Sequence, residues 1–196
     1  RAHVSAAGGY TRAWQCSPNH AASALFPFVE QAAIAINLTP RDSNEEMLDK
    51  LEAWIRISGQ APEDIAPIFA PFLSIDATMR YPVPTASPRR QKEILFEGFT
   101  KRFDGLAAKG PFLLIVEDAH WIDPTSLELV NMHIEQARSA GCMMIVTYRP
   151  EFDAPWGGEA QISLMALNRL NGARCAELAA KVGGGASLPA DVVGQI

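Results

Sequence analysis

Five apolar residues, Phe112 to Val116, run without polar alternation between Gly110-Pro111 and the adjacent carboxylates Glu117-Asp118. Such a run suits a strand covered on both faces, which predicts a parallel sheet inside an α/β domain. Asp123-Pro124 then reads as a helix start, with Asp123 as N-cap and Pro124 at the first helical position, where a missing N–H costs nothing. Leu127, Val130, Ile134 and Ala137 follow at helical spacing, and Gly141 closes the helix. A second apolar run, Cys142 to Val146, ends in Thr147, Tyr148 and Arg149. Strand, helix and strand make a right-handed crossover with parallel strands. Glu117, Asp118 and Arg149 are therefore expected along one edge of the sheet.

Upstream, residues 1–9 read as a helix end with a turn at Gly8-Gly9, followed by a short strand from Thr11 to Cys16 and a loop over Ser17 to His20. A helix is predicted from about Ala21 to Ile36, with Pro27 either kinking it or marking its true start. Ser43 and Glu46 form a capping box that opens a helix with Met47, Leu48, Leu51, Trp54 and Ile55 on one face. Another helix is predicted from Pro62 to about Ile75, then a turn-rich crossing from Tyr81 to Pro88. Ser87-Pro88 begins a long helix whose stripe is Leu95, Phe99, Phe103 and Leu106. Beyond Arg149 the pattern predicts a loop to Gly158, a last strand from Gln161 to Met165, and a helix from Asn171 to Val182 stopped by Gly183 to Gly185. A further helix starts at Pro189. There is no internal repeat and no low-complexity tract.

The chain has 196 residues, 48% hydrophobic and 20% charged, enough for one globular domain with a sizeable core. Its net charge of −5 argues against a nucleic-acid-binding surface spread over the whole domain. Three widely spaced cysteines, Cys16, Cys142 and Cys175, suit reduced thiols in a cytoplasmic protein. No run approaches transmembrane length and no signal peptide opens the chain, so no membrane contact is expected. Because the first residue is Arg1, the chain reads as an internal piece of a longer protein. His3, His20 and His133 show no metal-ligand spacing, and Arg89-Arg90-Lys92 reads as a solvated helix face.

Candidate chemistry lies at the tip of the central strand. Adjacent carboxylates in low dielectric raise each other's pKa or call for a cation, and open parallel sheets bind ligands outside the carboxyl ends of their strands. Two carboxylates beside an arginine at that edge suit a nucleoside triphosphate with Mg²⁺. Each of these residues also has a plainer reading. Glu117-Asp118 also suits the N-terminal dipole of the following helix, Arg149 a surface turn, and His120 a packing or capping role instead of a hydrogen bond near phosphates. Asp123 reads as a helix cap more than a catalytic group, and Trp121 as packing beneath the helix.

The string from Phe112 to Asp123 resembles the Walker B segment of STAND-type P-loop ATPases, the AAA-related modules of bacterial signalling proteins. Thr147-Tyr148-Arg149-Pro150 is similar to the sensor 1 motif of that group. The stretch from Gln15 to His20, with Ser23 to Gln31, resembles the segment after the first helix in modules attached to class III adenylate or guanylate cyclases. The resemblance implies an ASCE/AAA-type parallel sheet flanked by helices, with the three helices before the long one as an insertion at one flank.

It further implies an Mg²⁺-dependent ATPase acting as a switch for an effector in the same chain. Asp118 would orient water, Glu117 would contact Mg²⁺ through water, and Arg149 would sense the γ-phosphate. Glu117 stands where the family more often has aspartate. A class III cyclase is the favoured effector and a LuxR-type DNA-binding regulator the next, with self-association left open. The expected division is residues 1–86 for the second strand and helical insertion, 87–170 for the Walker B and sensor 1 core, and 171–196 for the start of a C-terminal helical part. The chain contains no Gly-x-x-x-x-Gly-Lys-Ser/Thr, so the fold is expected to lack its Walker A strand, which in the family lies between the sensor 1 strand and the last strand. The fragment alone is then expected to be inactive. The rival reading is a nucleotide-binding or protein-interaction scaffold that hydrolyses little. A dinucleotide-binding oxidoreductase is disfavoured by the lack of Gly-x-Gly-x-x-Gly.

Overall fold

The computed structural model describes residues 4, 6, 8–138, 141–157, 161–168 and 170–182. The chain divides into two compact units, Arg1–Asp153 and Ala154–Ile196. The first is an α/β unit built on three parallel strands, β1 (Tyr10–Gln15), β2 (Phe112–Glu117) and β3 (Cys142–Val146), in the order β1-β2-β3. The apolar run forms the central strand, with Leu114 and Val116 fully buried. Gly9 lets β1 start beside it: a Cβ at this position would meet the Pro111 carbonyl oxygen at 2.4 Å, and the Tyr10 amide donates to that same oxygen at 2.8 Å.

Around the sheet, among the described residues, lie α1 (Phe26–Ala35), α2 (Asn44–Arg56), α3 (Pro62–Phe69), α4 (Pro88–Ala107) and α5 (Pro124–Ala137). Pro27 marks the true start of α1, because it lies in the first turn, where its missing N–H is harmless. The capping box at Ser43 forms as expected, with the Ser43 amide donating to Glu46 Oε2 at 2.8 Å. The helix expected from Pro62 to Ile75 is shorter. It ends at Phe69 and continues as a 3₁₀ turn over Ala70–Leu73, because Pro71 cannot donate the next helical hydrogen bond. Ser17 to His20, expected as a loop, contains a short 3₁₀ turn over Pro18–His20 capped by Ser17.

Helix α1 packs on β1 and α5, whereas α2 and α3 pack on each other and α3 on α4. α1 thus belongs to the layer covering the sheet, and of the three helices expected together at one flank, α2 and α3 pack as a pair. Aromatic side chains join the two parts: Phe99 of α4 meets Phe28 at 5.2 Å and Phe69 at 5.3 Å between ring centroids. Glu52 of α2 is buried among Arg80, Tyr81 and Arg56, accepting from all three at 2.7 to 2.8 Å, and so fastens the 76–81 turn to α2.

Both faces of β2 are covered, but β3 departs from that expectation. Met143 is 63% exposed, and among the described residues no strand pairs with the outer edge of β3.

In the second unit, the strand expected from Gln161 to Met165 does not form. An extended segment needs a partner ladder for its N–H and C=O groups, and none pairs with it among the described residues. Leu164 and Met165 accordingly remain exposed. Helix α6 (Gly172–Val182) forms where expected, with Asn171 Oδ1 accepting from the Arg174 amide at 3.0 Å. The stop at Gly183 to Gly185, the helix from Pro189, and most of the helix end before Gly8 lie outside the described residues, as does His3. No helix among the described residues is long and apolar enough to cross a membrane.

Candidate functional site

Parallel register brings the carboxyl ends of the three strands together, with Gln15 opposite Glu117 and Val116 opposite Val146. The chain leaves β2 through Asp118, which adopts the left-handed conformation (φ 58°, ψ 42°) and redirects it into a 3₁₀ turn over Ala119–Trp121. Aspartate enters that region more readily than most residues because its short polar side chain bonds locally.

Both neighbouring strands hold this turn. From the β3 side, Thr147 Oγ1 accepts from the Asp118 amide at 3.1 Å and the Thr147 carbonyl from the Ala119 amide at 2.8 Å. From the β1 side, Gln15 Nε2 donates to Asp118 Oδ2 at 2.8 Å, and the Cys16 amide donates to the Glu117 carbonyl at 2.9 Å. Oδ1 of Asp118 has no hydrogen bond from the protein among the described residues.

Glu117 is half-buried at the end of β2. Arg149, three residues beyond β3, sets its guanidinium 5.4 Å from the centre of the Trp121 ring, and the His120 ring lies 4.2 Å from the same ring. Trp121 therefore supports the two candidate ligand-binding residues. Both ring nitrogens of His120 are buried with no hydrogen-bond partner among the described residues. A buried polar group left this way costs free energy until water or a ligand satisfies it.

Asp123 caps α5 as expected, accepting from the Ser126 amide at 2.9 Å, and the same oxygen accepts from the Leu25 amide at 3.3 Å. Leu25, itself left-handed at φ 61°, precedes α1. Sequence reasoning missed Gln15, Thr147 and this second role of Asp123. For Gln15 and Thr147 the available signal was position, since each ends or follows a strand beside the acidic tip. Cys16 adds no nucleophile: burial, then the Asp123 and Asp118 carboxylates, push its thiol up to about 12, so it stays protonated.

Mg²⁺ is a hard cation that takes one or two carboxylates and completes its shell with water and phosphate oxygens. Glu117 and Asp118 supply oxygen donors of that kind at one strand tip, so this donor set fits the ion. The sequence contains no Gly-x-x-x-x-Gly-Lys-Ser/Thr motif.

No family model matches the chain, and no solved structure matches it. An uncharacterized protein of Rhizobium meliloti (strain 1021) is 27% identical over 84 residues, which cover 43% of this chain and 8% of that protein. The matched stretch is thus a small part of that relative's length.

Proposed function

We propose that the chain is the Walker B and sensor 1 part of a STAND/AAA-like module that binds and hydrolyses ATP as a regulatory switch in a multidomain signalling protein. The observation that carries this reading is Asp118, held at the tip of the central parallel strand by Gln15 and Thr147, beside Glu117 and next to the strand that leads to Arg149. In this reading Asp118 orients the attacking water through its unbonded Oδ1, Glu117 contacts the metal through water, and Arg149 senses the γ-phosphate. His120 offers ring nitrogens that have no hydrogen-bond partner among the described residues, near the phosphates. Bound Mg²⁺ supplies charge neutralisation of the phosphate oxygens. The lysine and hydroxyl that cradle the phosphates come from another segment of the intact protein. The small share of the Rhizobium meliloti protein that is matched suits a module within a long chain. A class III cyclase is the proposed effector, and a LuxR-type regulator the alternative.

One observation favours a second reading, a nucleotide-binding or protein-contact scaffold: Gln15 already engages one oxygen of Asp118, which serves structure as well as chemistry. Asp118→Asn in the complete gene product separates the two. An ATPase loses about 10²-fold or more in turnover while nucleotide affinity changes little. An unchanged turnover, or an output that persists without turnover, leaves the scaffold reading.

A further inference from the structure

A cavity of about 60 Å³ lies between β1, α1 and α4, away from the strand tips, and none of Glu117, Asp118, His120 or Arg149 lines it. Trp14, Phe28, Phe99 and Phe103 form its walls, with Trp14 and Phe28 at 4.3 Å between ring centroids. Two guanidiniums, Arg12 and Arg102, also line it, and no aspartate or glutamate does. Neither has an acidic partner among the described residues: Arg12 donates to the Thr11 carbonyl at 3.1 Å, and Arg102 to Ser58 Oγ at 3.2 Å and the Trp54 carbonyl at 3.4 Å.

The cost of this pairing falls on half-buried Arg102, since Arg12 is exposed to solvent. Arginine cannot shed its proton to relieve it. Burial, and then the charge of Arg12, push the Arg102 pKa down to about 10, the direction expected for a cation that lacks a counter-ion. Stacking of Arg102 over the Trp54 ring at 4.1 Å recovers part of the cost but supplies no negative charge. His133 at the cavity wall adds no charge, because it is buried and burial pulls its pKa down. A chain with net charge −5 thus keeps at one aromatic pocket a half-buried and an exposed cation, neither with an acidic partner among the described residues.

We propose that this cavity binds a short-chain monocarboxylate, its carboxylate on Arg12 and Arg102 and its alkyl tail among Trp14, Phe28, Phe99 and Phe103. Planar guanidinium and carboxylate groups match in paired hydrogen bonds, and apolar walls favour an alkyl tail over a strongly hydrated dianion. The volume holds roughly four waters at about 15 Å³ each, the scale of acetate, propionate or butyrate. The proposal is independent of the ATPase reading, since the two share no residue.

The test is calorimetric titration and tryptophan fluorescence of the whole chain with propionate and butyrate at fixed ionic strength, with butylamine as the cationic analogue. Trp14 and Trp54 both line the cavity, so occupancy is expected to change their emission. The expected result is saturable one-to-one binding of the carboxylates, none of butylamine, and an affinity about tenfold lower in Arg12→Met and Arg12→Gln. Arg12 is exposed, so both variants should keep the wild-type melting temperature. Absence of saturable carboxylate binding, or equal binding by wild type and either folded variant, overturns the proposal and leaves a cavity that holds water alone.

Discussion

Asp123 joins two distant segments through one carboxylate oxygen, capping α5 at Ser126 and holding the left-handed Leu25 before α1. Removing it therefore takes away a helix cap and orphans a buried amide. Asp123→Ala should lower the unfolding free energy by about 2–3 kcal/mol, read from urea denaturation, with Asp123→Asn costing less because its amide oxygen still accepts. The capping role was legible in the Asp123-Pro124 pair, because a cap is a local signal. The bond to Leu25 was not, since nothing near Leu25 marks it as a partner of a residue so far along the chain. Likewise, the position of Asp118 after an apolar strand was readable, while its left-handed backbone and its bond to Gln15 depend on two neighbouring strands. His120 was readable only as a choice between packing and ligand contact, and the structure gives it both a ring neighbour and two nitrogens with no hydrogen-bond partner among the described residues.

Among the elements, the start of β1 depends most on a single atom. Gly9 faces the backbone oxygen of Pro111 so closely that a methyl group there would force β1 and β2 apart. Gly9→Ala should destabilise the fold by about 1–3 kcal/mol, measured by the same denaturation, although alanine is the better residue in most settings. Local patterning correctly placed β1, β2 and β3 and the starts of α2, α4, α5 and α6, because apolar period and capping act over a few residues, while the helix expected from Ala21 begins at Phe26. It overextended the helix at Pro62, where Pro71 ends the hydrogen-bond ladder, and it placed a strand at Gln161 to Met165 that finds no ladder. A strand signal states what a segment can pair with, and pairing is a tertiary event. The exposure of Met143 on β3 has the same origin: the apolar run anticipates a covering that the described residues do not provide.

Across the molecule, two buried or half-buried thiols link stability to alkaline pH. Burial raises Cys16 to about 12 and Cys142 to about 11, against an ordinary value of 9.0. Above pH 9 the unfolded chain releases protons that the folded chain keeps, so the stability is full below about 9 and is lost as the pH rises through 11 to 12. Denaturation midpoints should fall across that window, and Cys16→Ala should flatten the fall; a flat profile in the wild type would count against the burial of Cys16.

By itself the sequence determined the α/β class, the central strand with its acidic tip, the caps of α2 and α5, and the stripe of α4, because each is written in residues a few positions apart. Only the tertiary structure decided which distant residues meet: Gln15 on Asp118, Leu25 on Asp123, and Arg12 with Arg102 around one aromatic cavity. Those contacts have no local code. They arise when parallel register and helix packing close long loops, and their free energy appears only once the surrounding core has excluded water.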